Sequence, residues 1–263
     1  MNYLEEQKFE AIDFVLKDRV AFIYLDRSQT MNAINQKMRQ EILYLMEEIE
    51  MNDHIKVVVL GAKGKGFSSG GDLVEGLAGY ETVEDKILAE YVPIFEGIQR
   101  SSKLYIASIH GACAGIASGV ALAADLAIMS ESAYFYVPFA GLNLVPDGGV
   151  SYQLVRHLGY KKAMEVFLNA ERIKAQDCEK FGIVNSVVAD DELENKTQAW
   201  AAKLAEGAPL SHSLGKRCMQ FAMENTLVDT VKYEAMNQVT CSQSPITLAA
   251  IKSMLNKEKP TFV

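Results

Sequence analysis

Apolar and polar positions along the chain switch between a two-residue and a helical period, and the switches mark out its elements. Two short alternating or β-branched runs, 11–17 and 20–25, flank Asp18-Arg19 and predict a hairpin. After the polar loop Asp26-Arg-Ser-Gln-Thr-Met-Asn-Ala-Ile34 the period lengthens, and Met38, Ile42, Leu45, Met46 and Ile49 fall on one face of a helix expected over 36–50. Residues 55–60, Ile-Lys-Val-Val-Val-Leu, form a compact buried-strand signal that runs into a glycine-dense loop, 61–73. A helix of mixed polarity is expected over 82–100. The stretch 104–130 then reads as strand, glycine turn, buried helix, strand. A short aromatic strand, 133–137, precedes a loop over 138–149 that holds three glycines and two prolines, and helices are expected near 150–158 and 161–169. The pattern changes after 183–188. From 190 to 257 only helical signals remain, over 191–206, 211–224 and 226–255. Repeated strand-then-helix units predict an α/β domain with parallel pairing over 1–189, followed by a helical region over 190–263.

The chemistry on offer in 104–130 is that of the backbone. Ala117 to Ala124 is too apolar and too small for a surface helix, and the first N–H groups of any helix lack intrahelical partners and carry partial positive charge. Such an end can hold a developing oxyanion. Alanines and glycines there equally serve close packing in a core helix, and this stretch alone does not choose. The glycine loop 61–73 fails the phosphate-loop patterns: Gly66 is followed by Phe67 rather than Lys-Ser/Thr, and Ser69 stands where the third glycine of a dinucleotide fingerprint belongs. What survives is Gly70-Gly71, able to present backbone N–H groups without a side chain in the way, or simply to turn the chain.

Composition narrows the class. With 263 residues, 49% hydrophobic and 23% charged, the chain resembles an ordinary globular protein. A net charge of −8 argues against nucleic acid as the main partner, although a local lysine cluster could hold an anionic small molecule. The longest apolar segments are interrupted before the roughly 18 residues a membrane helix needs, and the N-terminus has no basic region followed by an apolar one, so a cytoplasmic protein without membrane contact is expected. Cys113, Cys178, Cys218 and Cys241 match no metal-ligand or redox spacing, and the four histidines form no helical pair, so no metal site is expected.

Four segments in order carry a family resemblance: Asn32-Ala33-Ile34, Phe67-Ser-Ser-Gly-Gly-Asp-Leu73, His110-Gly-Ala-Cys-Ala-Gly-Ile-Ala-Ser-Gly119 and Val145-Pro-Asp-Gly-Gly149. Together they resemble the crotonase superfamily, the enoyl-CoA hydratases and isomerases, over essentially the whole chain. The resemblance implies a spiral of ββα turns followed by trimerising helices, hence a homotrimer or homohexamer. It also implies an acyl-CoA thioester as substrate, with coenzyme A entering as part of that substrate and no separate cofactor. Carried over by position, the two N–H donors that hold the thioester oxygen fall on Gly71 and Ile116. Met31 and Ala33 match the loop that supports the CoA moiety through its backbone. Ser69, Asp72, Leu73, Gly115, Gly119, Phe139 and Leu142 line the substrate by the same carry-over.

The departures shape the functional expectation. Where the hydratases carry two catalytic glutamates this chain has Gly119 and Phe139, and neither can move a proton. Asp147 remains, at the position where some single-acid isomerases of the family and its aromatic dehalogenase carry an aspartate. One base suffices for a 1,3-proton shift, and enoyl-CoA isomerisation is therefore expected. The alternatives are hydration with non-standard acid/base groups, a carboxylate nucleophile, or acyl-CoA binding without catalysis. Asp147 also has a plain structural reading as a helix N-cap. Asp72, Glu75 and Glu131, read by themselves, are structural or surface residues, and Lys63, Lys65, Lys252, Lys257 and Lys259 are solvated lysines that could pair with CoA phosphates. A serine hydrolase built on Ser118 is disfavoured, because Gly-x-Ser-x-Gly is not matched and no histidine lies between His110 and His157.

Overall fold

The computed structural model describes residues 3–262, the side chains of Tyr3 and Glu5 excepted. Strands β1 (Ile12–Lys17) and β2 (Val20–Leu25) form the expected hairpin, with Lys17 paired to Val20 across the two-residue turn and Asp18 at φ 52°. Helix α1 (Gln36–Met51) follows, N-capped by the Asn35 side chain, which accepts from the Met38 N–H. Strand β3 (Val57–Ala62) pairs parallel with β2. The segment expected as one helix over 82–100 is three pieces, α2 (Val83–Lys86), a π-helical turn (Ile87–Tyr91) and α3 (Val92–Arg100). Pro93 follows directly on the π-helical turn, and because it has no N–H it leaves one carbonyl of that turn without its helical donor.

Strand β4 (Leu104–Ile109), the short β5 (Ala112–Ala114), helix α4 (Ile116–Ala123) and strand β6 (Leu126–Ser130) make up the central stretch. Residues 112–114, read from sequence as part of a turn, are a strand: β5 pairs parallel with β7 (Tyr134–Tyr136), which pairs antiparallel with β8 (Arg172–Lys174) in a second, three-stranded sheet. Helix α5 (Val150–Leu168) is broken by Gly159 at φ 71°, ψ 161°, so two helices stand where two were expected. Strand β8, helix α6 (Ala175–Lys180) and strand β9 (Ser186–Val188) complete the core, the first two being elements too short to leave a period in the sequence.

The main sheet has the order β1-β2-β3-β4-β6-β9, parallel from β2 onward. Parallel strands are covered on both faces. Ala21, Ile23, Val58, Leu60, Tyr105, Ala107, Ala127 and Met129 face the principal core with α1, α3 and α4, while Val20, Phe22, Val57, Val59, Ile106 and Ile128 face helix α7 (Leu193–Ala205). Beyond α7 come α8 (Pro209–Ala222), α9 (Leu227–Ser242) and α10 (Pro245–Leu255). The single helix expected over 226–255 is divided at Ser244-Pro245, because proline can open a helix but not continue one. Lys216 ties α8 to the core: its ammonium, almost wholly buried, donates to the Ile98 carbonyl (2.6 Å) and to Asp125 (2.9 Å). Phe221 and Tyr233 stack at 4.3 Å to join α8 to α9.

Candidate active site

The site is assembled from two backbone segments that short parallel bridges bring side by side. Ile34 bridges Gly71: the Ile34 N–H donates to Gly70 O (2.8 Å) and the Asp72 N–H to Ile34 O (3.1 Å). In a parallel bridge of this kind the middle residue's own N–H points away from its partner, so the Gly71 N–H is turned off the ladder. On the other side Ser68 bridges Cys113, with the Ser68 N–H on Ala112 O (3.0 Å) and the Ala114 N–H on Ser68 O (2.9 Å). Gly70 sits at φ 101°, and a Cβ there would approach Ala114 O to 2.9 Å, so this close contact of two backbones requires glycine. The result is a glycine loop held from both flanks.

Helix α4 starts against that loop. Gly115, at φ 54° and ψ −135°, donates its N–H to Tyr136 O (3.0 Å) and turns the chain so that Ile116 is the first helical residue. Among the described residues neither the Gly71 nor the Ile116 N–H donates within the chain. A Cβ at Gly71 would lie 3.9 Å from Ile116 Cγ2, so the two residues are neighbours across the junction of the glycine loop and α4. Two free N–H groups, one at the positive end of a buried helix, are what a carbonyl oxygen gaining charge requires.

Asp147 comes to this place through Gly148. The ideal Cβ of Gly119, buried in the first turn of α4, would overlap the carbonyl oxygen of Gly148, and that of Gly148 would overlap the Ile116 side chain. The loop 146–149 therefore rests directly on Ile116 and Gly119. The N-cap of α5 is Gly149, with no side-chain cap hydrogen bond; Asp147 serves that turn with its main-chain carbonyl, which accepts from the Val150 N–H at 3.0 Å. Its carboxyl group is left over, with a buried Oδ1 that has no hydrogen-bond partner. Burial pushes the carboxyl pKa up from 3.8 to about 6.

The other sequence-designated residues divide. Phe139 is buried in the single turn Phe139–Leu142, whereas Leu142 and Leu73 are exposed. Asp72 is committed to Arg27 at 2.8 Å, an ion pair that holds its carboxyl below the usual range, and is not free to act as an acid or base. Met31, at φ 55°, and Ala33 belong to a stitched loop: the Met31 carbonyl accepts from the Ser69 N–H (2.9 Å) and the Ala33 carbonyl from Arg27 (2.6 Å). Ser118 donates to the Cys113 carbonyl at 2.9 Å and has no histidine partner. Lys63 turns to Asp13 (2.9 Å) and the Tyr24 ring, lining a cavity of about 410 Å³ on the α7 side of the sheet, away from Gly71 and Asp147.

Sequence reasoning missed Tyr91 and Arg39. Arg39, fully buried, donates to Glu90 (2.6 Å), Glu75 (2.9 Å) and the Ile34 carbonyl (3.0 Å), and its guanidinium lies 5.0 Å from the Tyr91 ring centre. This network clamps the start of α1 to the segment behind Gly71. A polar side chain on the inner face of an amphipathic helix was the available signal, since Arg39 precedes Ile42 and Met46 at the helical spacing of that face.

The sequence pattern of the enoyl-CoA hydratase/isomerase family matches residues 16–263. A protein of Rhodobacter capsulatus named probable enoyl-CoA hydratase is 31% identical over 254 residues, 97% of this chain and 98% of that one. The 1,2-epoxyphenylacetyl-CoA isomerase of Escherichia coli is 27% identical over 92% of this chain and 94% of its own. Among solved structures, an enoyl-CoA hydratase subunit from Geobacillus kaustophilus superposes with a TM-score of 0.91 at 28% identity, covering 98% of this chain and 99% of that one. The fold is thus the crotonase fold, and the chain belongs to the enoyl-CoA hydratase/isomerase family.

Proposed function

We propose that the protein is an acyl-CoA isomerase in which Asp147 moves one proton between two carbons of an unsaturated thioester. The Asp147 carboxylate takes a proton from the carbon next to the double bond, and the electron pair shifts onto the thioester oxygen, held by the Gly71 and Ile116 N–H groups. The protonated carboxyl then returns the proton to the other end of the three-carbon unit. Atoms and charge balance with one base and two donors, so no further cofactor is required beyond the CoA of the substrate. Each N–H donor of such a pair contributes about 3–4 kcal/mol to the barrier.

The observation that carries this reading is the occupancy of position 119. Hydration requires a carboxylate to activate water and an acid for the α-carbon, but the space a side chain at 119 would need is filled by the Gly148 carbonyl, and Phe139 supplies no proton. A carboxyl with a raised pKa and a partnerless oxygen is suited to take and return a proton near neutral pH. The relatives bear hydratase and isomerase names alike, so support for the isomerase reading comes from the residues and not from the names.

Incubation of unsaturated acyl-CoA thioesters in heavy water, read by mass spectrometry, tests the proposal. Migration of the double bond without gain of water is the expected result, with deuterium entering to the extent that the protonated carboxyl exchanges with solvent before it returns its proton. Gain of the mass of water would establish hydration instead, and an unmoved double bond with no mass change across a set of acyl groups would leave only acyl-CoA binding.

A further inference from the structure

We propose that the Tyr91 hydroxyl is a third hydrogen-bond donor to the thioester oxygen, beside Gly71 and Ile116; the inference rests on those two N–H groups forming the oxyanion site. Tyr91 ends the π-helical turn Ile87–Tyr91, a helix irregularity often found where a side chain is aimed at a functional position. Its hydroxyl lies 3.5 Å from the point a Cβ would occupy on Gly71. One helical turn on, Phe95 Cζ lies 3.2 Å from the corresponding point on Gly148, directly after Asp147. The face carrying residues 91 and 95 therefore spans the interval from the glycine-loop donor to the base. The charge of Asp147 is felt at the Tyr91 hydroxyl, where it disfavours the phenolate.

The hydroxyl is held as a spare donor. Its contact with the Ile34 carbonyl is 3.4 Å, as is the contact it receives from Arg39 Nη1, both well beyond the roughly 2.7–2.8 Å of a good hydroxyl bond. An oxygen carrying developing charge is a better acceptor than the Ile34 carbonyl, which Arg39 and the Asp72 N–H already serve. Burial pushes the phenol up to about 12, so it keeps its proton throughout the working range, and it donates a hydrogen bond without transferring that proton. Arg39, whose Nη1 contacts the hydroxyl oxygen at 3.4 Å, draws electron density from it and so acts in the direction that strengthens donation.

The test is Tyr91→Phe, which deletes one oxygen and two long contacts. The expected result is a fall in kcat of roughly 10- to 100-fold, the scale of one hydrogen bond to a charged group, with KM for the thioester unchanged. A second readout does not depend on the base. A β-ketoacyl-CoA ionises without help from Asp147, and the absorbance of its bound enolate reports stabilisation of the oxyanion alone. That enolate fraction is expected to fall in Tyr91→Phe, to rise when 3-fluorotyrosine, a stronger donor, is incorporated at position 91, and to persist in Asp147→Asn. Binding of a saturated acyl-CoA serves as the folding control. Unchanged kcat and an unchanged enolate fraction in folded Tyr91→Phe would overturn the assignment of Tyr91 and leave the other two donors standing. Should the wild-type protein bind the β-ketoacyl-CoA with no enolate at all, the oxyanion site itself falls, and Tyr91 with it.

Discussion

Gly119 and Gly148 touch backbone to backbone: a Cβ on Gly119 would occupy the place of the Gly148 carbonyl oxygen. This contact joins the helix that offers the Ile116 N–H to the loop that carries Asp147. It also means that a glutamate cannot simply be restored at 119. Gly119→Glu is expected to push the 146–149 loop off α4 and to lower isomerase kcat by about 100-fold, the usual cost of misplacing a reacting group by an ångström. No hydratase activity should appear, which the heavy-water assay reads directly; water uptake by the variant would show that the loop can yield without loss of the site.

Asp147 must be ionised to accept a proton, which fixes the sign of the pH dependence. With its carboxyl pushed up to about 6, kcat/KM is expected to rise about tenfold per pH unit below that value and to level off above it. Asp147→Asn should lose two or more orders of magnitude in kcat, roughly the scale of general-base catalysis, and should lose the pH step as well. A variant with full activity would remove Asp147 from the mechanism.

The same residue predicts a gain in stability on mutation. Asp147 binds its proton more tightly in the folded chain, at about 6, than at its ordinary 3.8, so stability falls as pH rises between these values and the full penalty is present above the upper one. The shift sets an upper bound of about 3 kcal/mol. Urea denaturation of Asp147→Asn should show it more stable than the wild type at neutral pH, with the difference vanishing below the lower value. An N-cap would behave differently, since Asn and Asp cap about equally well and exchange would leave stability nearly unchanged.

Lys216 is expected to be the attachment point of the C-terminal helices. Lys216→Met preserves much of the volume but leaves Asp125 buried without its cation and the Ile98 carbonyl without its donor. Breaking a buried pair from one side costs about 3–5 kcal/mol, and thermal unfolding together with proteolysis between α7 and α8 should detect it. A variant as stable as the wild type would show that α8 is held by its apolar contacts alone.

Helices α9 and α10 expose Leu227, Val228, Val231, Met236, Val239, Leu248, Ile251, Met254 and Leu255 in a single chain. Apolar surface of this kind is covered in a stable assembly. A mass of three or six chains is the expected outcome of light scattering, and Val231→Glu together with Met236→Glu should lower it. A stable monomer at micromolar concentration would contradict this.

Period and punctuation in the sequence were enough to establish the order of the larger elements. The hairpin at Asp18-Arg19, helix α1, strands β3 and β4, the small-residue helix and the break of α5 near Gly159 are each dictated within one short window of residues. Pro245 carried a readable signal for dividing the last long helix. Strands β5 and β8, of three residues each, are too short to establish a period and exist only because β7 lies between them. The candidate residues Gly71, Ile116, Gly119 and Asp147 were likewise legible as types, since a diglycine, a buried helix start and a lone acid before Gly-Gly are local patterns. What they do to one another was not. Which way the Gly71 N–H points depends on its bridge to Ile34, and whether Asp147 caps a helix or keeps its carboxyl free depends on Gly149 taking the cap. Tyr91 and Gly148 reach the site only because β3, β4 and β6 lie side by side and set the loops and helices between them on one face. Side-chain period is a property of neighbours along the chain. The candidate site is a set of contacts between residues 71, 91, 116 and 148, and only the packed sheet brings those together.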